Sequence, residues 1–279
     1  MNKPDRKTAV AALRDWQRAR LARDRAEPLP PPGPDSVTVL AYFFRPPETA
    51  ELHFSGVECA IRETWRHCGT MKTVLVTQAV TPPLAAFANR FPDLVEVQVE
   101  MSLKPLPPGD IASMSVDCNA RLHERFSTPW VLIVQDDGFP LRPGLEDFLG
   151  KWDYTGAPFL RRNLFTRMTG LWPCRAVGNG GFSLRSRRIC EEANARWTRF
   201  SGWRKDGRFL AEDVYYCLTL PLASAGYRKA VSFAPLGEAL RFSWDALYGE
   251  PPDEPPLGFH GAEAFALFRE RGWVDDTQD

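Results

Sequence analysis

The chain has 279 residues, of which 44% are hydrophobic, 12% aromatic and 25% charged, a composition that buries a sizeable core and excludes a disordered chain. Its 35 basic and 35 acidic side chains cancel, so the totals predict no polyanion-binding surface and exclude nucleic acid as the expected partner. The six cysteines are scattered without a CxxC pair, the first twenty residues are too charged for a signal peptide, and no stretch is long enough to span a bilayer, so the expectation is a cytoplasmic protein with free thiols.

Lys7 to Ala26 reads as a helix with Val10, Leu13, Trp16 and Leu21 as its apolar positions. Its basic residues Arg14, Arg18, Arg20, Arg23 and Arg25 offer peripheral contact with anionic lipid or a partner; the alternative is a solvated helix docked through Leu13 and Trp16. Pro28 to Pro34 reads as a stiff, extended linker. Residues 1–35 are therefore read as an N-terminal helix and Pro-rich linker, and residues 36–279 as the main domain.

That domain opens with a buried strand over Ser36 to Phe44, followed by a helix over His53 to Cys68 and a strand over Lys72 to Thr77. A short helix over Leu84 to Arg90, a strand over Leu94 to Val99, a helix over Val116 to Phe126 and a strand over Trp130 to Val134 come next. This alternation predicts an α/β fold with a mostly parallel, Rossmann-like sheet flanked by helices. In such sheets ligands bind beyond the carboxyl ends of the strands. Ala41 and Tyr42 near the end of the first strand, Thr77 at the end of the second and Asn119 on the preceding helix are assigned to that side. After about residue 150 the texture changes to Gly, Pro, Trp and Arg, and this half is read as the acceptor side of the same domain.

Four motifs carry the chemistry. The strand Trp130 to Val134 runs directly into Gln135-Asp136-Asp137, and two carboxylates at a buried strand end are costly unless a cation neutralises them. Their hard oxygens suit Mg²⁺ or Mn²⁺ bridging a diphosphate; the structural alternative is an acidic turn. In Val177 to Arg188 (VGNGGFSLRSRR), Gly178, Gly180 and Gly181 permit positive φ and close approach to a ligand. There Asn179 can bond a sugar hydroxyl and Arg185, Arg187 or Arg188 a phosphate; the alternative is a tight hairpin. Glu212 and Asp213 stand at a helix start, where Asp213 can serve as a general base although the helix dipole would lower its pKa; a plain helix cap is the alternative. His260, between glycines in GFHG, can ligate a metal through a neutral nitrogen. Trp152, Tyr154 and Trp172 are candidate platforms for a pyranose ring, or else ordinary buried aromatics.

In this order the motifs resemble the glycosyltransferase-like DUF5672 family, which pairs a Q-x-D turn with W-D-Y-x-G-A-P, V-G-N-G-G-F-S-L-R, E-D-V-F/Y and a late G-F-H-G. Here these stand as Gln135 to Asp137, Trp152 to Pro158, Val177 to Arg185, Glu212 to Tyr215 and Gly258 to Gly261, within roughly residues 37 to 262. More distantly the layout is similar to fringe-type and core-1-type β-1,3-glycosyltransferases of GT-A fold. The resemblance implies a GT-A-like fold and an inverting, metal-dependent transfer from a nucleotide-sugar donor, taken as a UDP-sugar, to a glycan or other hydroxyl acceptor. It implies that Asp137 and His260 bind Mn²⁺ or Mg²⁺, and that Asp213 with Glu212 supplies the base. Ala41, Tyr42, Thr77, Asn119, Gln135 and Asp136 then face the donor, and Trp152, Tyr154, Asn179, Gly180, Gly181 and Arg185 the sugars. Gln135 departs from the D-x-D pattern by replacing its first acid. The acceptor setting by analogy is bacterial surface polysaccharide or lipid-linked glycan. Two rivals are a nucleotide-sugar- or glycan-binding module without catalysis and a metal-dependent nucleotide-sugar phosphohydrolase.

Overall fold

Seven consecutive apolar or β-prone residues, Val37–Phe43, form β1, and all seven are buried, as expected of a strand covered on both faces. This is a computed structural model that describes residues 5–24, 27–44, 47–100, 111–158, 177–197, 211–249 and 251–274. Trp172, Cys174 and Arg25 lie outside them. Parallel to β1 run β2 (Thr73–Thr77), β3 (Val95–Val99) and β4 (Trp130–Val134), with Val39 opposite both Thr73 and Leu132. The crossovers are α2 (Pro47–Cys68), α3 (Pro82–Arg90) and α4 (Ile111–Arg121). All of these elements were expected. The fourth predicted helix begins earlier than expected, at Ile111, and ends earlier, at Arg121, where Leu122–Glu124 closes it as a 3₁₀ turn.

Alternation along β1 divides the core. Leu40 and Tyr42 face one apolar cluster together with α4, whereas Val39, Ala41 and Phe43 face another with Phe54, Ile61 and Phe87 of α2 and α3.

The second half adds strands that composition did not reveal. After β5 (Gly138–Pro140) come β6 (Tyr154–Gly156) and β7 (Ser183–Ser186), which join the main sheet antiparallel in the order β3-β2-β1-β4-β7-β6. The residues following the glycine cluster thus form β7 and then α5 (Arg187–Trp197). Glu212–Val214 forms the short α6, which runs through a π-helical turn, Tyr215–Thr219, into α7 (Leu220–Ala223). Then follow α8 (Ala225–Ala230), α9 (Leu236–Phe242), β8 (Ser243–Asp245), β9 (Gly258–His260) and α10 (Ala262–Glu270). A small sheet, β5-β9-β8, carries the acidic turn at one end of β5 and His260 on β9.

The N-terminal helix, α1 (Arg6–Asp24), packs on this small sheet. Leu13 and Trp16 are buried, and the Trp16 ring stacks on Phe139 at 5.9 Å and meets Phe265 at 5.3 Å. Arg20 is not available to lipid: it points inward and donates to Glu63 at 2.8 Å. The Pro-rich stretch is tied to the end of α2, with Gly33 N–H donating to the Thr70 carbonyl at 2.9 Å. No helix among the described residues is long and apolar enough to cross a membrane. Cys59, Cys68, Cys118, Cys190 and Cys217 are buried free thiols.

Candidate functional site

At the carboxyl ends of β1 and β4 the chain leaves a cleft of about 410 Å³. The acidic turn forms one wall. Gln135 and Gly138 exchange two backbone hydrogen bonds of 3.0 Å, so Asp136 and Asp137 stand at the tip of a tight hairpin. The carbonyls of both are held. Gln17 of α1 donates its side-chain amide to that of Asp136, and Gly261 N–H donates at 2.7 Å to that of Asp137. Gly261 has φ +93°, which is why glycine follows His260 there.

His260 faces this turn. Its Nε2 lies 3.3 Å from Gln135 Oε1 and 3.7 Å from Asp137 Oδ1. Its Nδ1 donates to Asp245 Oδ2 at 2.8 Å, an arrangement that fixes the ring and leaves Nε2 for a ligand. Burial alone would lower the imidazole's pKa, but Asp137 and the bond with Asp245 outweigh it and push it up to about 9, so a cation binding at Nε2 would have to displace its proton. Asp245, on β8, has no signal in the sequence; it also accepts from Asn179 Nδ2 at 2.9 Å.

The glycine cluster forms the floor. Gly178 and Asn179 both donate backbone N–H groups to the Ala157 carbonyl, at 3.2 and 2.9 Å. None of Gly178, Gly180 and Gly181 has positive φ, contrary to expectation. Gly180 and Gly181 are needed because protein side chains crowd them. A Cβ on Gly180 would overlap Glu212 Oε1, and one on Gly181 would overlap the His260 ring. Asn179 lines the cleft, but its Oδ1 accepts from Gly181 N–H at 3.0 Å. With one N–H given to Asp245, a single N–H remains to face the cleft.

Opposite lie Glu212 and Asp213. The expected lowering of Asp213 by the helix dipole is overturned. Burial, reinforced by the neighbouring Glu212 charge, pushes it up to about 7. Glu212 is buried and accepts from Arg185 Nη2 at 3.1 Å. Arg185 is 0% exposed, caged by the Tyr154 and Tyr216 rings at 5.0 and 4.9 Å. It therefore does not reach the cleft to meet phosphate; its charge is consumed by Glu212.

The remaining expected site residues divide clearly. Tyr42 lines the cleft with Phe44 and Met114, and its hydroxyl donates to Asp117 Oδ2 at 2.8 Å. Ala41 instead points to the opposite core, because adjacent strand residues alternate faces. Thr77 is buried, its hydroxyl donating to the Phe43 carbonyl at 2.8 Å, and Asn119 is buried within α4. Neither lines the cleft. Tyr154, also 0% exposed, is no platform; its hydroxyl donates to the Gly178 carbonyl at 3.0 Å and so holds up the floor. Trp152 is half-buried and away from the cleft. Beside it, Asp153 binds Ser186, Arg188 and Ser232, which makes the WDY segment a structural joint. Arg6 and Ala211 also line the cleft without having been anticipated.

The fold matches the galactosyltransferase LgtC in complex with donor and acceptor sugar analogues, at 12% identity and a TM-score of 0.53 over 85% of this chain and 100% of LgtC. An active-site mutant of LgtC matches at 14% identity and a TM-score of 0.50 over 84% of this chain and 95% of the mutant. The glycosyltransferase GlyE of Streptococcus pneumoniae has a TM-score of 0.49 and 13% identity over 81% of this chain, which spans about half of GlyE, 54% of its length. No curated protein matches the sequence. At these identities the likeness to LgtC establishes the GT-A glycosyltransferase fold. The family pattern described as protein of unknown function (DUF5672) matches residues 112–260, more than half of the sequence, from ahead of the acidic turn through His260. The chain therefore belongs to the DUF5672 family and carries its motifs on a GT-A fold.

Proposed function

We propose that the protein is a glycosyltransferase that moves a sugar from a nucleoside diphosphate sugar, UDP-linked in this reading, to a hydroxyl of a glycan or other acceptor in polysaccharide or glycan biosynthesis. The observation that carries the reading is the convergence of Asp137, His260 and Asp213 on one cleft at the strand ends. Asp137 Oδ1 and Gln135 Oε1 both lie within 3.7 Å of His260 Nε2, so a cation bound at that nitrogen would have both oxygens beside it. An O,O,N donor set of this kind fits Mn²⁺ or Mg²⁺. Among the described residues no group of three His, Cys, Asp or Glu side chains is arranged to hold a metal ion. Diphosphate and water oxygens would therefore complete the shell. When bound, the cation would offset charge developing on the leaving diphosphate.

The chain's own groups do the rest. Tyr42 and Phe44 wall the donor at the end of β1. Asp213, ionised above its raised pKa, takes the proton of the acceptor hydroxyl. The acceptor oxygen forms a bond to the anomeric carbon as the bond from that carbon to the β-phosphate oxygen breaks, with inversion, and the electron pair leaves on the diphosphate. Glu212, held by Arg185, positions the base rather than replacing it.

The test is nucleotide release from UDP-sugars with Mn²⁺ and glycan acceptors, by the wild type and Asp213→Asn. The expected result is release that depends on acceptor, metal and Asp213, with UDP binding retained in the variant. Acceptor-independent release would instead indicate hydrolysis. The neutral Gln135 in place of an acid favours one second reading, a binding module; UDP binding with no turnover by the wild type would support it.

A further inference from the structure

Across the acidic turn from the main cleft lies a second cavity of about 290 Å³, between α1 and the early part of α2. Arg6, Arg14 and Arg18 of α1 line it, His53 of α2 faces them, and the cavity ends on Asp136 and Asp137. Arg6 also lines the main cleft, so the two cavities adjoin at α1 and the turn. Positions 6, 10, 14 and 18 follow the i, i+4 row of a helix, which puts Arg6 and Arg14 about 12 Å apart along one face.

These arginines differ in what occupies them. Arg18 pairs with Asp15, and Arg20 on another face is consumed by Glu63. Among the described residues Arg6 and Arg14 have no carboxylate partner. A guanidinium fork matches a carboxylate or a phosphate, and a cationic groove leading to a reacting centre draws and orients an anion. The groove is also anchored to that centre. Gln17 is 3% exposed and donates to the Asp136 carbonyl, while a Cβ on Gly56 of α2 would stand 2.8 Å from Asp136 Cβ. With α1 and α2 both packed against the turn, a ligand held in the groove is held in register with the cleft.

We propose that this groove is a subsite for an acidic saccharide, with the carboxylate or phosphate of the sugar against Arg6 and Arg14 and its hydroxyls toward Asp136 and Asp137. The two carboxylates would repel an anion placed directly on them, so the charged end belongs at the arginines. Identifying this saccharide as the acceptor rests on the glycosyl-transfer reading; the anion subsite itself does not.

The experiment titrates D-glucuronate, glucose 6-phosphate and glucose at matched ionic strength, reading melting temperature, into the wild type, Arg6→Gln/Arg14→Gln and Arg23→Gln. At least one anionic sugar should stabilise the wild type and Arg23→Gln saturably, while glucose does not. The double variant, whose changes are on exposed side chains, should bind that sugar about tenfold or more weakly. Which of the two sugars binds separates a carboxylate from a phosphate ligand. The proposal fails if neither anionic sugar binds the wild type, if glucose binds equally, or if the double variant binds as the wild type does. UDP with Mn²⁺, titrated into the same wild type, separates the two readings. Lost UDP binding overturns the donor site and leaves the anion result standing, whereas UDP binding without anion binding overturns only the subsite.

Discussion

A methyl group at Gly181 would run into the imidazole of His260 and come within 2.8 Å of Gln135 Oε1, so Gly181→Ala is expected to push both away from Asp137. The overpacking should cost about 1–3 kcal/mol in urea unfolding and weaken any Mn²⁺-dependent binding. Arg185→Met should cost more, about 3–5 kcal/mol, because it leaves Glu212 buried without its counter-charge. Adding Glu212→Leu should recover much of that loss, and a double-mutant cycle by denaturation measures the coupling. Asp213 gives the pH dependence. Its carboxyl, raised to about 7 by burial and by Glu212, is a base only when ionised, so the transfer rate should climb as pH rises through 7 and level off above it. The sign for stability is opposite. The folded chain holds this proton where the unfolded chain has lost it, so the Asp213 contribution falls as pH rises from about 4 to 7. Most of the residues that line the cleft were readable from the sequence. The need for glycine at 180 and 181 was readable; the reason was not, because Glu212 and His260 are distant in sequence. Arg185 and Tyr154 were misplaced because chemistry that binds a sugar or phosphate also makes a buried ion pair and a loop prop. Asp245 gave no signal, since its partners lie 15 and 66 residues away.

Among the elements, α1 has the most to test. Trp16 stacks against Phe139, one residue past the acidic turn, and Gln17 holds the turn itself. Trp16→Ala should cost about 3–5 kcal/mol, read as a lowered denaturation midpoint. Gln17→Ala should cost only about 1 kcal/mol of stability, yet weaken metal-dependent nucleotide binding, because the Asp136 carbonyl loses its anchor. A similar loss of stability without that loss of binding would show that α1 is merely packed. The long strands were readable because β1 and β4 are buried on both faces and show as continuous apolar runs. β5, β8 and β9 have three residues each, too short for an alternation to register, and β5 pairs with β9 across more than a hundred positions of sequence. The small sheet that brings His260 to the acidic turn was therefore visible only as its two ends.

On the scale of the molecule, the main sheet presents the carboxyl ends of β1 and β4, the small sheet brings His260, and the β7 side brings the glycine floor and Asp213 to one 410 Å³ cleft. On the proposed reading this cleft binds a nucleoside diphosphate through a cation held by Asp137 and His260. The decisive measurement is the melting temperature of the wild type, Asp137→Ala and His260→Ala with UDP, with and without Mn²⁺. At 100 times its dissociation constant UDP should stabilise the wild type by about 2.7 kcal/mol, with Mn²⁺ required and the effect lost in both variants. A wild type that UDP leaves unmoved with Mn²⁺, or variants that respond as fully as the wild type, would rule out this donor site.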